Sequence, residues 1–406
     1  MKSGASVVVF GTRENGHTKH LLPIISGLAR AGIRTHVFTM PVYRREIENA
    51  GGIYIDMFRG RPLDEADAQS IPFPCRYVTF AGRYADEIIA ETAALKPSLV
   101  LHDVFAVIGV VVARQLGIPR VNVIAGHSYP PQSFLEDLRH DPRVNISADC
   151  RRAVKILHER YGLTDASPFS YGTHMSSDLN LYCEPPQFLS EEERRPYQPI
   201  AFIGALSDQV IERAPLATSP YGEGAADKLR IYVCFGTIIW RYYKDAARST
   251  LEAIREAVGD LPGFATVMSL GRAEPGDWVR RLESPNFRVE SYINQWDVLS
   301  ASSVYITHHG LNSTHEAIFQ KVPMISYPFF SDQPRMAKFC QDMGVAIPLT
   351  TEVRGRVSAA DVRLALSRIA DQSDCMLARL SEARQWELDV IAGRGGGDHF
   401  NGAASE

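Results

Sequence analysis

Two turns in this sequence carry histidines beside glycines, and both could support acid–base or anion-binding chemistry. The first turn runs from residue 11 to 18 and contains His17 directly after a glycine. The second runs from 307 to 316, reads THHGLNSTHE and contains Gly310 among three histidines. An imidazole can accept a proton near neutral pH, donate a hydrogen bond to an anion or bind a metal. The elements around each turn decide between these chemistries.

Both turns follow strands in an alternating strand–helix pattern. One series of apolar strands runs from residue 7 to 124, and a second from 231 to 326, with helices continuing to about residue 391. Continuous apolar strands separated by amphipathic helices are typical of parallel sheets that are covered on both faces. The pattern predicts an α/β fold with two tandem Rossmann-like domains, whose parallel sheets face an interdomain cleft.

The predicted domains divide the chain into four parts. We expect an N-terminal domain over 1–205, a Pro- and Gly-rich linker over 206–229, a C-terminal domain over 230–392 and a flexible tail over 393–406. In sheets with the strand order 3-2-1-4-5, strands 1 and 4 lie side by side, and ligands bind at their carboxyl ends. Residues that follow strands 1 and 4 of each half are therefore the candidates for a site.

Composition excludes several classes of protein. The 406 residues include 43 basic and 47 acidic side chains, so the net charge of −4 does not favour nucleic acid as a partner. The six cysteines form no CxxC pair, which disfavours a zinc ribbon or a disulfide scaffold. No apolar run reaches the ~18 residues of a membrane helix, and the N-terminus does not resemble a signal peptide. These features predict a cytoplasmic protein without an integral membrane segment.

His17 and Asp103 are the candidate catalytic pair of the N-terminal half. The loop before His17 nearly fits the phosphate-binding pattern GxxxxGK[ST], but histidine replaces the lysine, and the dinucleotide fingerprint GxGxxG is absent. Asp103 follows strand 4 and should face His17, where a carboxylate would fix the imidazole as a general base. The alternative is that His17 is a loop histidine and Asp103 caps the next helix.

The second histidine turn is a candidate anion site. Gly310, Asn312 and Ser313 can open a helix whose free N–H groups bind a phosphate, and His308 can donate to it. Glu316 lies three residues after Ser313, so it either completes a capping box or accepts hydrogen bonds from ribose hydroxyls.

Two further segments of the C-terminal half carry side chains that suit a planar base and sugar hydroxyls. Tyr292 and Gln295 follow strand 3 and could stack on and hydrogen-bond a planar base. Asp332 and Gln333 follow strand 5 and suit sugar hydroxyls, although Asp332 could equally be a helix N-cap.

A metal site is the weaker interpretation of the three histidines at 308, 309 and 315. The HExxH pattern starts at His315, but position 319 is phenylalanine, and the chain has no Asp-x-Asp pair. We therefore predict no metal and no other cofactor.

Together these segments resemble a known donor-site signature. Residues 292–295, 307–316, Val322-Pro323 and Asp332-Gln333 are similar to those of the family-1 UDP-glycosyltransferases, which have the GT-B fold and include bacterial macrolide and natural-product enzymes. The resemblance implies an inverting, metal-independent hexosyltransferase with an N-terminal acceptor domain and a C-terminal donor domain. Its donor would be a UDP- or dTDP-linked sugar, with UDP-glucose favoured, and its acceptor a hydroxyl of a small-molecule natural product, as in antibiotic biosynthesis.

The resemblance also implies a role for each matched residue. His17 would deprotonate the acceptor with Asp103 as its partner, and the diphosphate would lie near Thr237, His308, Gly310, Asn312 and Ser313. Glu316 would bind the ribose, Tyr292 would stack on the base beside Gln295, and Asp332 and Gln333 would bind the sugar. The base-binding stretch reads Tyr-Ile-Asn-Gln rather than Trp-x-Pro-Gln, so uracil and thymine both stay open.

Other functions and the oligomeric state are left open by the sequence. A two-domain nucleotide-sugar epimerase or a non-catalytic nucleotide-sugar-binding module would have a similar outline. The protein could be a monomer or a homodimer.

Overall fold

The chain forms two compact units, each built on one parallel sheet. The computed structural model describes residues 5–63, 74–127, 131–140, 144–206 and 218–395. The units are Met1–Ile203 and Gly204–Glu406. The predicted α/β architecture of two tandem Rossmann-like domains is confirmed by the two sheets.

The N-terminal sheet has seven strands in the order β3-β2-β1-β4-β5-β6-β7, all parallel. Its strands are β1 Ser6–Phe10, β2 Arg34–Thr39, β3 Ile53–Asp56, β4 Leu99–Asp103, β5 Arg120–Ile124, β6 Leu179–Tyr182 and β7 Ile200–Phe202. Its helices are α1 Asn15–Arg30, α2 Arg44–Asn49, α3 Cys75–Ala94, α4 Val107–Leu116, α5 Pro131–His140, α6 Ala148–Glu159, α7 Ser170–Thr173 and α8 Glu191–Arg194.

The C-terminal sheet has six strands in the order β10-β9-β8-β11-β12-β13. Its strands are β8 Leu229–Cys234, β9 Phe264–Ser269, β10 Phe287–Glu290, β11 Val304–Thr307, β12 Met324–Ser326 and β13 Ala346–Pro348. The helices are α9 Ile239–Tyr242, α10 Lys244–Val258, α11 Gln295–Ser300, α12 Leu311–Phe319, α13 Gln333–Asp342 and α14 Ala359–Gly395.

The central strands are mostly apolar, and all of β1 and the last four residues of β8 are buried, as expected for sheets with helices on both faces. All five residues of β1 (SVVVF) are buried. Strand β1 pairs with β4 through Phe10 and His102, and β8 pairs with β11 through Cys234 and Thr307. The sequence pattern missed β6, β7 and β13, which have three or four residues each and lie beyond the ends of the two predicted series of apolar strands.

Two predicted boundaries change. Strand β8 begins at Leu229, so the last residue of the predicted linker is part of the sheet, and linker residues 207–217 lie outside the described residues. Helix α14 continues to Gly395, so residues 393–395 of the predicted flexible tail are helical, and 396–406 are not described. Tertiary packing overrides glycine's low helix propensity here. The last turns of α14 pack Leu388 and Ile391 against a buried cluster.

In the described part of the chain, the helices are all too short or too polar to cross a lipid bilayer.

Helix α4 approaches β4 closely at Gly109. A Cβ at this position would lie 2.4 Å from Cβ of His102, the neighbour of Asp103. We expect Gly109→Ala to lower the free energy of unfolding by about 1–3 kcal/mol, because overpacking forces the strand and helix apart. Urea denaturation measures this change.

Gly27→Ala is the matched control for this substitution. Gly27 also lies within a helix, α1, but a Cβ there meets no atom within 4 Å. Alanine should stabilise that helix by about 0.5–1 kcal/mol. If both substitutions had the same effect, the close approach at Gly109 would not be a packing constraint.

Candidate active site

His17 and Asp103 form a hydrogen-bonded pair at the carboxyl edge of the N-terminal sheet. His17 lies in the first turn of α1, which follows β1, and Asp103 ends the neighbouring strand β4. The distance from His17 Nδ1 to Asp103 Oδ2 is 2.8 Å; the carboxylate is buried, while the imidazole is 16% exposed. This geometry places the Nδ1 proton against the carboxylate, so the nitrogen that could accept a proton is Nε2.

The second carboxylate oxygen of Asp103 is also bound. Asp103 Oδ1 accepts a hydrogen bond from the backbone N–H of Phe105 at 2.9 Å. The N-cap of α4 is Ala106, so Asp103 orders the turn before the helix without being its N-cap. Both oxygens are therefore satisfied, and the carboxylate has a fixed orientation toward His17.

A buried network holds the end of β4. His102 Nδ1 donates to the carbonyl of Asp103 at 2.9 Å, and Arg120 Nη1 donates to His102 Nε2 at 3.1 Å. Burial, followed by the nearby Arg120 charge, lowers the pKa of His102 to about 3, so its imidazole is neutral at pH 7. Arg120 also donates to the carbonyl of His174. The network fixes the backbone that carries Asp103.

The His17 ring packs against an aromatic side chain that sequence reasoning missed. Its centroid lies 4.1 Å from that of Phe105, and Phe105 makes an edge contact with Tyr171 at 5.5 Å. Phe105 lies two residues after Asp103, so its nearness in sequence was the one available signal. The contact limits rotation of the imidazole.

The loop before His17 is tied to α3. The carboxylate of Glu14 contacts the Arg76 guanidinium and accepts a hydrogen bond from the Tyr77 hydroxyl, and all three side chains are buried. The backbone N–H of Arg13 donates to the Tyr77 oxygen at 2.8 Å, and Tyr43 donates to the Arg13 carbonyl at 2.7 Å. Burial and then the Glu14 charge raise the pKa of Tyr77. These contacts fix the entry to α1.

In the C-terminal unit, α12 starts where the sequence predicted an anion site. Its N-cap is Gly310, which has no side chain that could accept a hydrogen bond from the first N–H groups. Asn312 and Ser313 lie in the first turn. The first N–H groups of a helix have no partner within it, and the helix dipole makes this end positive. The nine-residue helix thus presents backbone donors directly after β11.

His308 packs tightly between two glycines at this point. A Cβ on Gly236 or on Gly310 would lie 2.6 Å from His308 Nε2, so a side chain at either position would displace the ring. Burial lowers the pKa of His308 to about 4, which keeps the imidazole neutral at pH 7. Thr237 follows Gly236 and is exposed.

Gln295 joins two of the other predicted residues. Its Nε2 donates to Glu316 Oε2 at 2.8 Å and to Ser313 Oγ at 3.2 Å, while its Oε1 accepts from the Tyr305 hydroxyl at 2.9 Å. Ser313 lies inside α12 rather than at its N-cap, so the capping-box alternative for Glu316 is wrong. Tyr305 is a supporting residue that the sequence did not reveal.

The remaining predicted residues lie at the ends of other strands. Tyr292 is 55% exposed. The Arg272 guanidinium lies over its ring, 4.7 Å from the ring centroid. Asp332 occupies the N-cap position of α13 but makes no side-chain cap hydrogen bond. Gln333 is buried, and its Oε1 accepts from the backbone N–H groups of Phe329 and Phe330 at 3.0 and 3.3 Å.

The other two histidines of the turn have protein partners. His309 lies 3.2 Å from the Thr314 hydroxyl and 2.8 Å from the Ser326 hydroxyl, and His315 pairs with Glu387. Across the described ranges, no group of three or more His, Cys, Asp or Glu side chains is arranged to hold a metal ion. His309 and His315 instead contact other side chains of the C-terminal unit.

Comparison with known proteins agrees with this geometry. Residues 194–382 match the family model described as "UDP-glucoronosyl and UDP-glucosyl transferase". The chain is similar to the oleandomycin glycosyltransferase of Streptomyces antibioticus, with 25% identity over 378 residues that cover 86% of this chain and 80% of that protein. It is also 23% identical to the uncharacterized UDP-glucosyltransferase YdhE of Bacillus subtilis (strain 168), over 82% of each chain.

The same fold occurs in a solved structure. The glycotransferase of kitacinnamycin superposes with a TM-score of 0.71 at 20% sequence identity, over 97% of this chain and 98% of that one. This likeness shows that the chain has the GT-B fold, which the sequence resemblance implied. Residues 194–382 are thus similar to the UDP-glucuronosyl and UDP-glucosyl transferases, and the relatives of the chain indicate a hexosyltransferase. This similarity favours transfer over the epimerase and binding-module alternatives.

Gly310→Ala tests the close packing around His308. The backbone of Gly310 (φ −64°) accepts alanine, but the new methyl would push the His308 ring aside. We expect UDP or dTDP to bind about tenfold more weakly, since one hydrogen bond to a charged group contributes about 1.5–3 kcal/mol. Isothermal titration calorimetry measures this affinity.

Gly263→Ala serves as the control, because a Cβ there meets nothing within 4 Å. Equal nucleotide affinity in both variants would contradict a ligand-binding role for this arrangement.

Proposed function

We propose that this enzyme transfers a hexose, with inversion and without a metal, from a UDP- or dTDP-linked donor to a hydroxyl of a small-molecule natural product. The observation that carries the proposal is the hydrogen bond between His17 Nδ1 and Asp103 Oδ2 at 2.8 Å. It gives the chain a base suited to an alcohol, while α12 supplies donors suited to a diphosphate.

His17 acts as the general base. Asp103 keeps the proton on Nδ1 and stabilises the imidazolium that forms when Nε2 takes the proton of the acceptor hydroxyl. The acceptor oxygen forms a bond to the anomeric carbon as the bond from that carbon to the diphosphate breaks. A single displacement from the opposite face inverts the anomeric configuration. Positioned bases of this kind contribute roughly 100- to 10,000-fold in rate.

The leaving diphosphate is stabilised by uncharged donors. Negative charge grows on it in the transition state, where the N–H groups at the start of α12, His308 and Thr237 can donate hydrogen bonds. Because burial keeps His308 neutral, it contributes an N–H rather than a full charge. Preorganised donors at a helix N-terminus bind phosphate without an accompanying cation, which supports metal independence.

The residues that bind the ribose, the base and the hexose of the donor are assigned from the chemistry of their side chains. The Glu316 carboxylate accepts hydrogen bonds from the ribose hydroxyls, and its contact with Gln295 fixes its orientation beforehand. Tyr292 stacks on the base, with Arg272 packed against its ring. Asp332 accepts from hydroxyls of the hexose, and Gln333 donates through its amide nitrogen because its oxygen is bound to the backbone.

The relatives support the two substrate classes. The similarity to a protein named UDP-glucosyltransferase favours a UDP-glucose-like donor. Relatives named for oleandomycin and kitacinnamycin support a small-molecule acceptor. We assign the acceptor to the N-terminal domain because the proposed base, His17, lies there.

His17→Ala tests the base. Transfer from UDP-glucose to a panel of natural-product alcohols should fall at least about 100-fold in kcat, while the dissociation constant for UDP stays within about twofold because His17 lies outside the donor unit. Steady-state kinetics and calorimetry supply the two measurements.

His158 is an exposed residue on α6, and His158→Ala is the control, which should behave as wild type. Retention of more than a tenth of the activity in the His17 variant would rule out the base. Proton NMR of the product shows its anomeric configuration, and a retained configuration would refute direct displacement.

Metal independence has its own test. Transfer should continue at an unchanged rate after dialysis against EDTA, because backbone and imidazole N–H groups stabilise the leaving group. A complete loss of activity that Mg²⁺ or Mn²⁺ restores would contradict this part of the proposal.

A further inference from the structure

We propose that the end of the long C-terminal helix α14 orients the donor helix α12 through the buried pair His315–Glu387. Both residues would then be positioning residues for nucleotide binding. The inference rests on the proposed donor site, and it adds two residues to which the donor-site resemblance assigns no role.

Helix α12 presents two faces with different contacts. Ser313 and Glu316, three residues apart, face Gln295 and hydrogen-bond it. His315 and Phe319, four residues apart, face α14 instead. Since residues at these spacings share one side of a helix, any rotation of α12 about its axis moves both faces together. Contacts on the α14 side therefore determine where Glu316 lies.

The last turns of α14 contact both elements that carry the Gln295–Glu316 hydrogen bond. Arg384 lies 4.6 Å from the Phe319 ring centroid, and Glu387 pairs with His315 Nδ1. Leu388 and Ile391 pack on a cluster that contains Phe319 and Trp296, the neighbour of Gln295. The end of α14 thus fixes α11 and α12 relative to each other.

Stability alone does not explain a buried polar pair at this position. His315 and Glu387 are both fully buried, and burial of such a pair costs desolvation energy that an apolar pair of similar volume avoids. Glu387 Oε2 is buried without a hydrogen-bond partner among the described residues. A directional hydrogen bond does, however, fix the rotation of a short helix, which apolar packing leaves less restricted.

The double variant His315→Leu/Glu387→Met tests this role, because it keeps the volume and removes the hydrogen bond. We expect an unchanged or higher Tm together with UDP and dTDP dissociation constants raised at least about fivefold, within the range seen for residues that act through packed neighbours. The KM for the donor should rise while the KM for the acceptor stays constant. The single variant His315→Asn, whose amide nitrogen takes the place of Nδ1 and can still donate to Glu387, should keep the nucleotide affinity within about twofold of wild type.

The N-terminal unit offers a matched control. His127 and Glu184 form another buried pair, with 2.9 Å between Nδ1 and Oε2, at the carboxyl ends of β5 and β6. His127→Leu/Glu184→Met makes the same chemical change in the other unit and should leave the UDP dissociation constant unchanged.

The outcomes separate this inference from the proposed function. Wild-type nucleotide affinity in the folded His315/Glu387 double variant overturns the inference. If that variant does not fold, Glu387→Met alone, measured well below its Tm, must show the same weakening, and unchanged affinity there also overturns it. Failure of the wild-type protein to bind either UDP or dTDP would instead refute the proposed donor site.

Discussion

Side-by-side pairing of the first and fourth strands is the constraint on which both halves of the molecule depend. In the N-terminal sheet it places the turn after β1 beside the end of β4, and His17 meets Asp103 there. In the C-terminal sheet the same pairing places Gly236 beside His308. Because helical connections leave these two strands in opposite directions, a crevice opens at their carboxyl ends. The same pairing of strands therefore brings together different residues in the two units: His17 with Asp103 in one, and His308 with Gly236 in the other.

The groups at these crevices are held in place before any ligand binds. Asp103 uses both carboxylate oxygens, one for His17 and one for a backbone N–H. Gln295 orients Glu316 in the other unit. Groups that are already oriented lose less entropy when they bind a ligand, and they need little reorganisation as charge develops. The hydrogen bonds that orient Asp103 and Glu316 therefore matter for binding and catalysis as well as the identity of these residues.

Burial sets the charge state of the supporting histidines. It lowers the pKa of His102 to about 3 and that of His308 to about 4, so both stay neutral where the enzyme would work. Asp103, in contrast, presents a carboxylate directly to His17, which is partly exposed. The proposed roles of His17 as a base and of His308 as an uncharged donor are consistent with these different surroundings.

The sequence by itself determined the fold class, the adjacency of His17 and Asp103, and the helix that follows Gly310. These features depend on local periodicity and on a general rule of strand order. Only the tertiary structure decided which side chains support the site. These supporting hydrogen bonds join Arg120 to His102, Tyr305 to Gln295 and Glu387 to His315. Glu387 and His315 are 72 residues apart in sequence. The tertiary structure also showed that α14 includes the first three residues of the predicted tail and extends to Gly395. Such partners come from elements distant in sequence, and a local pattern does not encode which side chains packing will bring together.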